Sequence, residues 1–192
     1  MEHKTNYLSV VIMGKVTCGK GTQSARILEH FGGTLFSVGN KVRELAAVDT
    51  PLGHHVKHAY EEGLLMPNWL ASYWMMHALL HRHSEERLVF EAVARKPEEA
   101  EIFHEIHEWI NRPYIVFHLD IPDDVVRARS AERNRDVVDG AEVVERRLSE
   151  FNTYTVHSLE VFRKHGRVID IDGTKSIEEV QDIIFEHLNK NR

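Results

Sequence analysis

The sequence predicts an α/β fold, a five-stranded parallel sheet with helices on both faces, and three observations predict it. Five apolar runs of strand length recur along the chain, each followed by a helical pattern. The segments joining them are short, so successive strands are returned to the sheet by the helices between them. The first run, residues 7–13, is nearly all apolar and rich in β-branched residues, as a strand covered on both faces requires.

Residues 7–13 are the first strand, followed by the glycine-punctuated segment from Gly14 to Gly21 and a helix to about Phe31. Residues 34–38 form a short second strand, and helical patterns follow at 41–48, 52–62 and 68–83. The third strand is 87–93, and the helix at 97–111 opens with Pro97 in its first turn. The fourth strand spans 114–119, a helix 123–133, and 134–140 is a polar loop. One long helix is expected over 141–164, and the fifth strand over 167–171. Ser176 then opens the last helix, with Glu179 at capping-box spacing. No repeat or linker interrupts this order, so the chain reads as a single domain, 1–192.

Composition fits that reading. The 192 residues hold 42% apolar and 28% charged side chains, ordinary for a globular chain. A formal charge of −6 argues against a nucleic-acid coating role, which needs a basic footprint. A single cysteine, Cys18, excludes a disulfide framework and a four-thiolate zinc site, so a reducing, cytoplasmic setting is expected. No apolar stretch reaches the length of a membrane span, and the start Met-Glu-His-Lys lacks a signal-peptide layout. The 14 histidines cluster at 54–58, 77–83 and 104–107, but no acidic residue completes a metal-binding pattern, and they read as solvated helix faces.

The informative motif is Gly14-Lys15-Val16-Thr17-Cys18-Gly19-Lys20, which fits G-x-x-x-x-G-K directly after a strand and before a helix. Such a loop wraps backbone N–H groups around a phosphate, the helix adds its positive end, and Lys20 adds a full charge. In a parallel sheet ligands bind at the carboxyl ends of the strands, and the first strand ends at Met13. The usual following Ser or Thr is Gly21 here, then Thr22 and Gln23.

Gly-Lys-Gly-Thr-Gln resembles the mark of adenylate kinase and its nucleoside monophosphate kinase relatives, within the P-loop NTPase type of fold. Further segments carry the resemblance through most of the chain. Ser37 to Arg43 is similar to the T-G-D-x-x-R segment, with Val38 and Asn40 in place of Thr and Asp. Thr50 to Gly53 and Glu62 to Pro67 match the acceptor-binding helices and the turn after them. Glu91-Ala92-Val93-Ala94-Arg95 stands where the family has D-G-F-P-R, and Glu99 replaces the Gln that reads adenine. Asp120 to Asp123 leads to Arg129 and Arg133, the arginines before the lid. Arg135, Asp136 and Asp139 resemble the lid exit, and Arg147 the next arginine. Ile171 to Lys175 matches the loop against the ATP adenine.

The resemblance implies a core of 1–37, 84–132 and 141–192, a helical NMP-binding insertion at 38–67 and a short lid at 133–140. It implies phosphoryl transfer from ATP to a nucleoside monophosphate, most simply AMP, by a monomer bound to small-molecule nucleotides and neither nucleic acid nor membrane. Two other readings stay open, a kinase of another monophosphate with relaxed base choice and a weak nucleotide-binding protein. The implied catalytic cations are Lys20, Arg95, Arg133, Arg135 and Arg147. ATP would meet Gly14, Thr17, Cys18, Gly19, Lys20, Gly21 and Thr22 of the loop, with Arg129, Arg133 and Lys175. The monophosphate would meet Val38, Gly39 and Arg43, then Leu64, Leu65 and Met66, then Ala92, Arg95 and Glu99, with Arg135 and Arg147. Mg²⁺ would enter with ATP, without a direct protein ligand, Glu91 orienting it through water. Arginine suits the task, because its planar fork grips phosphate oxygens and stays charged.

Overall fold

The computed structural model describes residues 7–83, 85–133 and 140–190. Arg135, Asp136 and Asp139, most of the segment read as a lid, and Ser84 lie outside the described residues. The chain runs β1 (Ser9–Gly14), α1 (Lys20–Phe31), β2 (Thr34–Ser37), α2 (Val38–Ala46), α3 (Pro51–Glu61), α4 (Asn68–Leu80), β3 (Leu88–Glu91) and α5 (Pro97–Trp109). It continues through β4 (Tyr114–Asp120), α6 (Asp123–Arg133), α7 (Ala141–Glu150), α8 (Val156–Lys164), β5 (Val168–Asp172) and α9 (Ile177–Lys190). The five strands are all parallel, in the order β2-β3-β1-β4-β5.

Alternation along the strands builds two cores. In β1, Val10 and Ile12 face the layer of α1, α6 and α9, where Ile27, Val126 and Ile184 are buried. Val11 and Met13 face the opposite layer, with Met75 of α4, Phe103 of α5 and Phe162 of α8. β1 leads to α1 on one face and its neighbour β3 leads to α5 on the other. The two loops part at the carboxyl edge and leave a crevice, the switch point where parallel sheets hold ligands.

The opposite end of the sheet is closed by a polar knot. The His107 Nδ1 lies 2.7 Å from the Phe103 carbonyl and Nε2 lies 2.9 Å from Ser9 Oγ. A carbonyl can only accept, so Nδ1 carries the proton and Nε2 accepts from the serine hydroxyl. Arg112 Nε donates to the same Ser9 oxygen at 2.9 Å, and its Nη2 donates to Leu8 O at 2.9 Å.

Several boundaries differ from the sequence expectation. α2 starts at Val38 rather than Lys41, because Ser37 caps it by accepting from the Asn40 N–H. β3 stops at Glu91 rather than Val93, because Ala92 takes a left-handed φ of 55° that a strand cannot hold. The helix expected over 141–164 is divided by a wider π-helical turn at Phe151–Thr155. That turn rotates the face of α8 relative to the face of α7. Val144 and Leu148 therefore pack in the α1 layer, and Leu159 and Phe162 in the other.

Candidate active site

The crevice is a cleft of about 1160 Å³ at the carboxyl ends of β1 and β3. Its floor is the β1–α1 loop. Gly14 holds φ 142°, and a Cβ there would stand 2.4 Å from the Leu119 carbonyl and 2.7 Å from Cys18 Sγ, so only glycine fits. Thr17 holds φ 61°, a left-handed position a β-branched residue rarely takes. Its hydroxyl donates to the Val16 carbonyl at 2.7 Å, a bond that offsets part of the strain. Lys15 fastens the loop from below, 2.7 Å from Asp123 and donating to the Ile121 carbonyl at 2.9 Å. The Lys20 ammonium lies over the loop, donating to the Gly14 and Lys15 carbonyls at 2.9 and 2.6 Å.

One wall comes from β3 and the start of α5. Burial and the neighbouring Arg147 charge lower the Arg95 pKa to about 10, which leaves it a cation at neutral pH. Glu99 is buried and accepts the Arg95 N–H at 2.9 Å, closing the first turn of α5. Burial raises its pKa, and the bonds from the Arg95 and Lys96 backbone, with the nearby Lys96 and Arg95 charges, oppose that rise. Ala92 and Ala94 both take left-handed φ, 55° and 49°, with Val93 buried between them.

The facing wall comes from α2, α3 and the 62–66 turn. Gly63 holds φ 76° with the cradle of Val143 and Arg147 only 3.0–3.2 Å from where a Cβ would stand. The Leu65 N–H donates to Glu150 at 3.0 Å, and Arg146 pairs with Glu62. Arg147 lies 5.6 Å from the centre of the Tyr60 ring, a cation–π distance. Arg43 bonds Asn40 and lies beside Gly39. At the far end Arg129 donates to the Gly173 carbonyl at 3.2 Å, tying α6 to the loop after β5.

The cleft lining thus brings together Gly14, Thr17, Gly19, Lys20, Gly21 and Thr22 with Arg129 and Arg133. It also includes Val38, Gly39, Arg43, Leu64, Leu65, Met66, Glu91, Ala92, Arg95, Glu99 and Arg147. Cys18 is buried beneath the loop and Lys175 is exposed outside the lining. Sequence reasoning missed Tyr60, Ala71, Glu132 and Ile177. Tyr60 carried the one usable signal, an aromatic three residues before the matched Gly63 turn and one helical turn after buried Val56.

Six cations converging on one cleft, with Glu91 and Glu132 as its acids apart from Glu99, suit a ligand of several negative charges. The acid set also bears on a divalent ion. The Glu91 oxygens stand 3.9 Å from where a Cβ of Gly21 would lie, and among the described residues no group of three metal-ligating side chains forms. One carboxylate beside a phosphate loop suits Mg²⁺, which keeps waters and takes phosphate oxygens, and does not suit a resident zinc or calcium cage. Among the described residues no helix is long and apolar enough to cross a membrane.

Residues 12–167 match the family model described as adenylate kinase. The chain is 29% identical over 188 residues to "UMP-CMP kinase 1" of Oryza sativa subsp. japonica, covering 95% of this chain and 76% of that protein. It is 27% identical over 189 residues to the adenylate kinase of Trichodesmium erythraeum, covering 95% and 98%. It is 25% identical over 207 residues to the adenylate kinase of Fusobacterium nucleatum, covering 94% and 98%.

Proposed function

The chain belongs to the adenylate kinase family and is a nucleoside monophosphate kinase, a phosphotransferase, and from that premise we propose that it moves the γ-phosphoryl group of ATP to AMP, with Mg²⁺. The observation carrying this reading is the convergence on one cleft of the phosphate loop and, across from it, of Arg43, Arg95 and Arg147.

Phosphoryl transfer runs through a loose transition state, so the protein acts mainly by positioning and electrostatics. In this reading the 14–20 loop and Lys20 hold the donor phosphates, and Arg129 and Arg133 approach them from α6. Arg43, Arg95 and Arg147 hold the acceptor phosphate in line. Arg95 and Arg147 repel each other, so an anion between them relieves that repulsion most where charge is densest. Mg²⁺, when bound with ATP, screens the phosphate charge, and Glu91 would hold its waters.

The acceptor base would lie against Val38, Leu64, Met66 and Glu99. Glu99 Oε2 accepts the Arg95 N–H, and the carboxylate's remaining lone pairs can accept the adenine N6 amino group. An ionised carboxylate offers adenine N1 nothing, whereas guanine can donate to it twice. A mismatch of one polar atom costs about 1–3 kcal/mol, enough to erode a ten- to hundredfold preference. The choice of AMP thus rests on the family match, and Glu99 gives it weaker discrimination than a Gln at 99 would. ADP formation from ATP and Mg²⁺ with AMP, GMP, CMP or UMP tests this, in the wild type and in Glu99→Gln. AMP should give the highest kcat/KM, and Glu99→Gln should raise its ratio over GMP about tenfold. A higher kcat/KM with CMP or UMP overturns the choice of AMP, and an unchanged AMP/GMP ratio removes Glu99 from base reading.

A further inference from the structure

Helix α4 has no Asp, Glu, Lys or Arg in its 13 residues and is apolar nearly all round. Such a helix is expected to be buried on every side. Here one side packs inward through Leu70, Met75, Ala78 and Leu79, and Ala71 looks into the cleft. The other side does not. Trp69, Tyr73, Met76 and Leu80 are 62%, 55%, 37% and 80% exposed. At about 100° per residue these four fall within roughly 60° of the helix circumference, one straight stripe about 16 Å long.

The order along the stripe is self-complementary. Turned antiparallel about a point between Trp74 and Met75, the helix sets Trp69 opposite Leu80, Tyr73 opposite Met76 and Asn68 opposite His81. Each aromatic then meets a flexible aliphatic side chain, and both ends of the stripe are matched at once, as a two-fold interface demands. The stripe leaves on the order of 500 Å² of apolar surface uncovered, a fitting centre for an interface of about 800 Å² per partner. A lipid surface fits less well, since an interfacial helix carries Lys or Arg on its flanks and this chain has a net charge of −6.

We propose that α4 is the contact face of a homodimer, two copies packing antiparallel through Trp69, Tyr73, Met76 and Leu80. The expectation of a monomer came with the family resemblance, and this face supplies residues that favour a pair. Ala71 lies on the opposite side of the helix from the stripe, so the cleft of each copy stays open in the dimer.

Sedimentation velocity of the full chain from 1 to 100 µM tests the proposal. The expected species has twice the 22.3 kDa chain mass. Leu80→Glu alone and Trp69→Lys alone should each weaken association at least thirtyfold, while Trp109→Ser, an exposed apolar residue elsewhere, leaves it unchanged. An equimolar mixture of the Leu80→Glu and Trp69→Lys chains should dimerise again. The antiparallel register sets the introduced acid of one copy against the introduced base of the other and keeps a native pair at the far end. Circular dichroism confirms that each variant is folded. A single species of one chain mass at 100 µM overturns the proposal, and so does a dimer indifferent to both variants. A mixture of folded variants that stays monomeric overturns the antiparallel register. Sedimentation with phosphatidylglycerol vesicles by a chain that does not self-associate would assign the stripe to lipid instead.

Discussion

At Lys20, one ammonium faces the Gly14 and Lys15 carbonyls at hydrogen-bond distance while lining the cleft. In the proposed reaction its worth lies in charge that develops only during transfer. Lys20→Met should therefore lower kcat by about 10²–10³, as loss of one such donor costs roughly 3–4 kcal/mol, with the melting temperature little changed. Turnover within a few-fold of the wild type would remove the loop from the reaction. Stability has a different residue-scale signature. Ala92 and Ala94 sit at positive φ, which costs an L-residue roughly 1–2 kcal/mol, while glycine loses about half of that again through its flexible unfolded chain. Ala92→Gly should raise stability by roughly 0.5–1 kcal/mol in urea titration, whereas at buried Ala94 the lost methyl offsets the relief. The replacement of Gly-Phe-Pro at 92–94 was legible, but its left-handed backbone was not, since the strand was expected to run on to Val93. Nor was the double role of Glu99, capping α5 while lining the cleft. Residue type and spacing say nothing about which backbone N–H a carboxylate meets.

Elements were easier to read than their ends. All five strands were legible. β1, β3 and β4 are buried on both faces and leave nearly unbroken apolar runs. The edge strands β2 and β5 are short and only partly buried, and stood out by their place between helical patterns. The boundary at Ser37 and Val38 was lost because a serine cap turns strand into helix without any change in apolar character. The π-helical turn at Phe151–Thr155 was lost for a subtler reason: residues 144, 148, 151, 155, 159 and 162 keep a helical period, and only the two-layer packing shows that the face changes. The pair α2 and α3 packs with the 62–66 turn against the start of α4 in a small cluster of Val42, Val56, Met66 and Leu70. It is tied to α7 and α5 by a few polar contacts, Leu65 to Glu150, Glu62 to Arg146 and Lys96 to Met66. Such a cluster can move as a unit when a ligand bridges the cleft. Two adenosines joined by five phosphates should bind and slow amide exchange over α3 at least tenfold by mass spectrometry. Unchanged exchange at saturation would show that the pair is already seated.

Across the whole molecule, acid is the predictable weakness. Burial pushes His107 from 6.5 down to about 4, and the Ser9 and Phe103 bonds fix it as the neutral form. The unfolded chain therefore binds this proton first as pH falls, so stability is full above about pH 6.5 and is lost between 6.5 and 4, by up to about 3 kcal/mol. Urea midpoints at pH 7.5 and 5 should show that loss. A His107→Leu chain, though less stable at neutral pH, should lose most of the slope. A wild-type midpoint flat across this range would remove His107 as its cause. The knot and the cleft lie at opposite ends of β1, joined by buried strand. Drift among the cleft loops can thus retune which substrate is taken while leaving acid tolerance untouched. Drift at Ser9, His107 or Arg112 changes the conditions a cell must offer before any chemistry begins. The sheet is long enough to give those two histories separate ground.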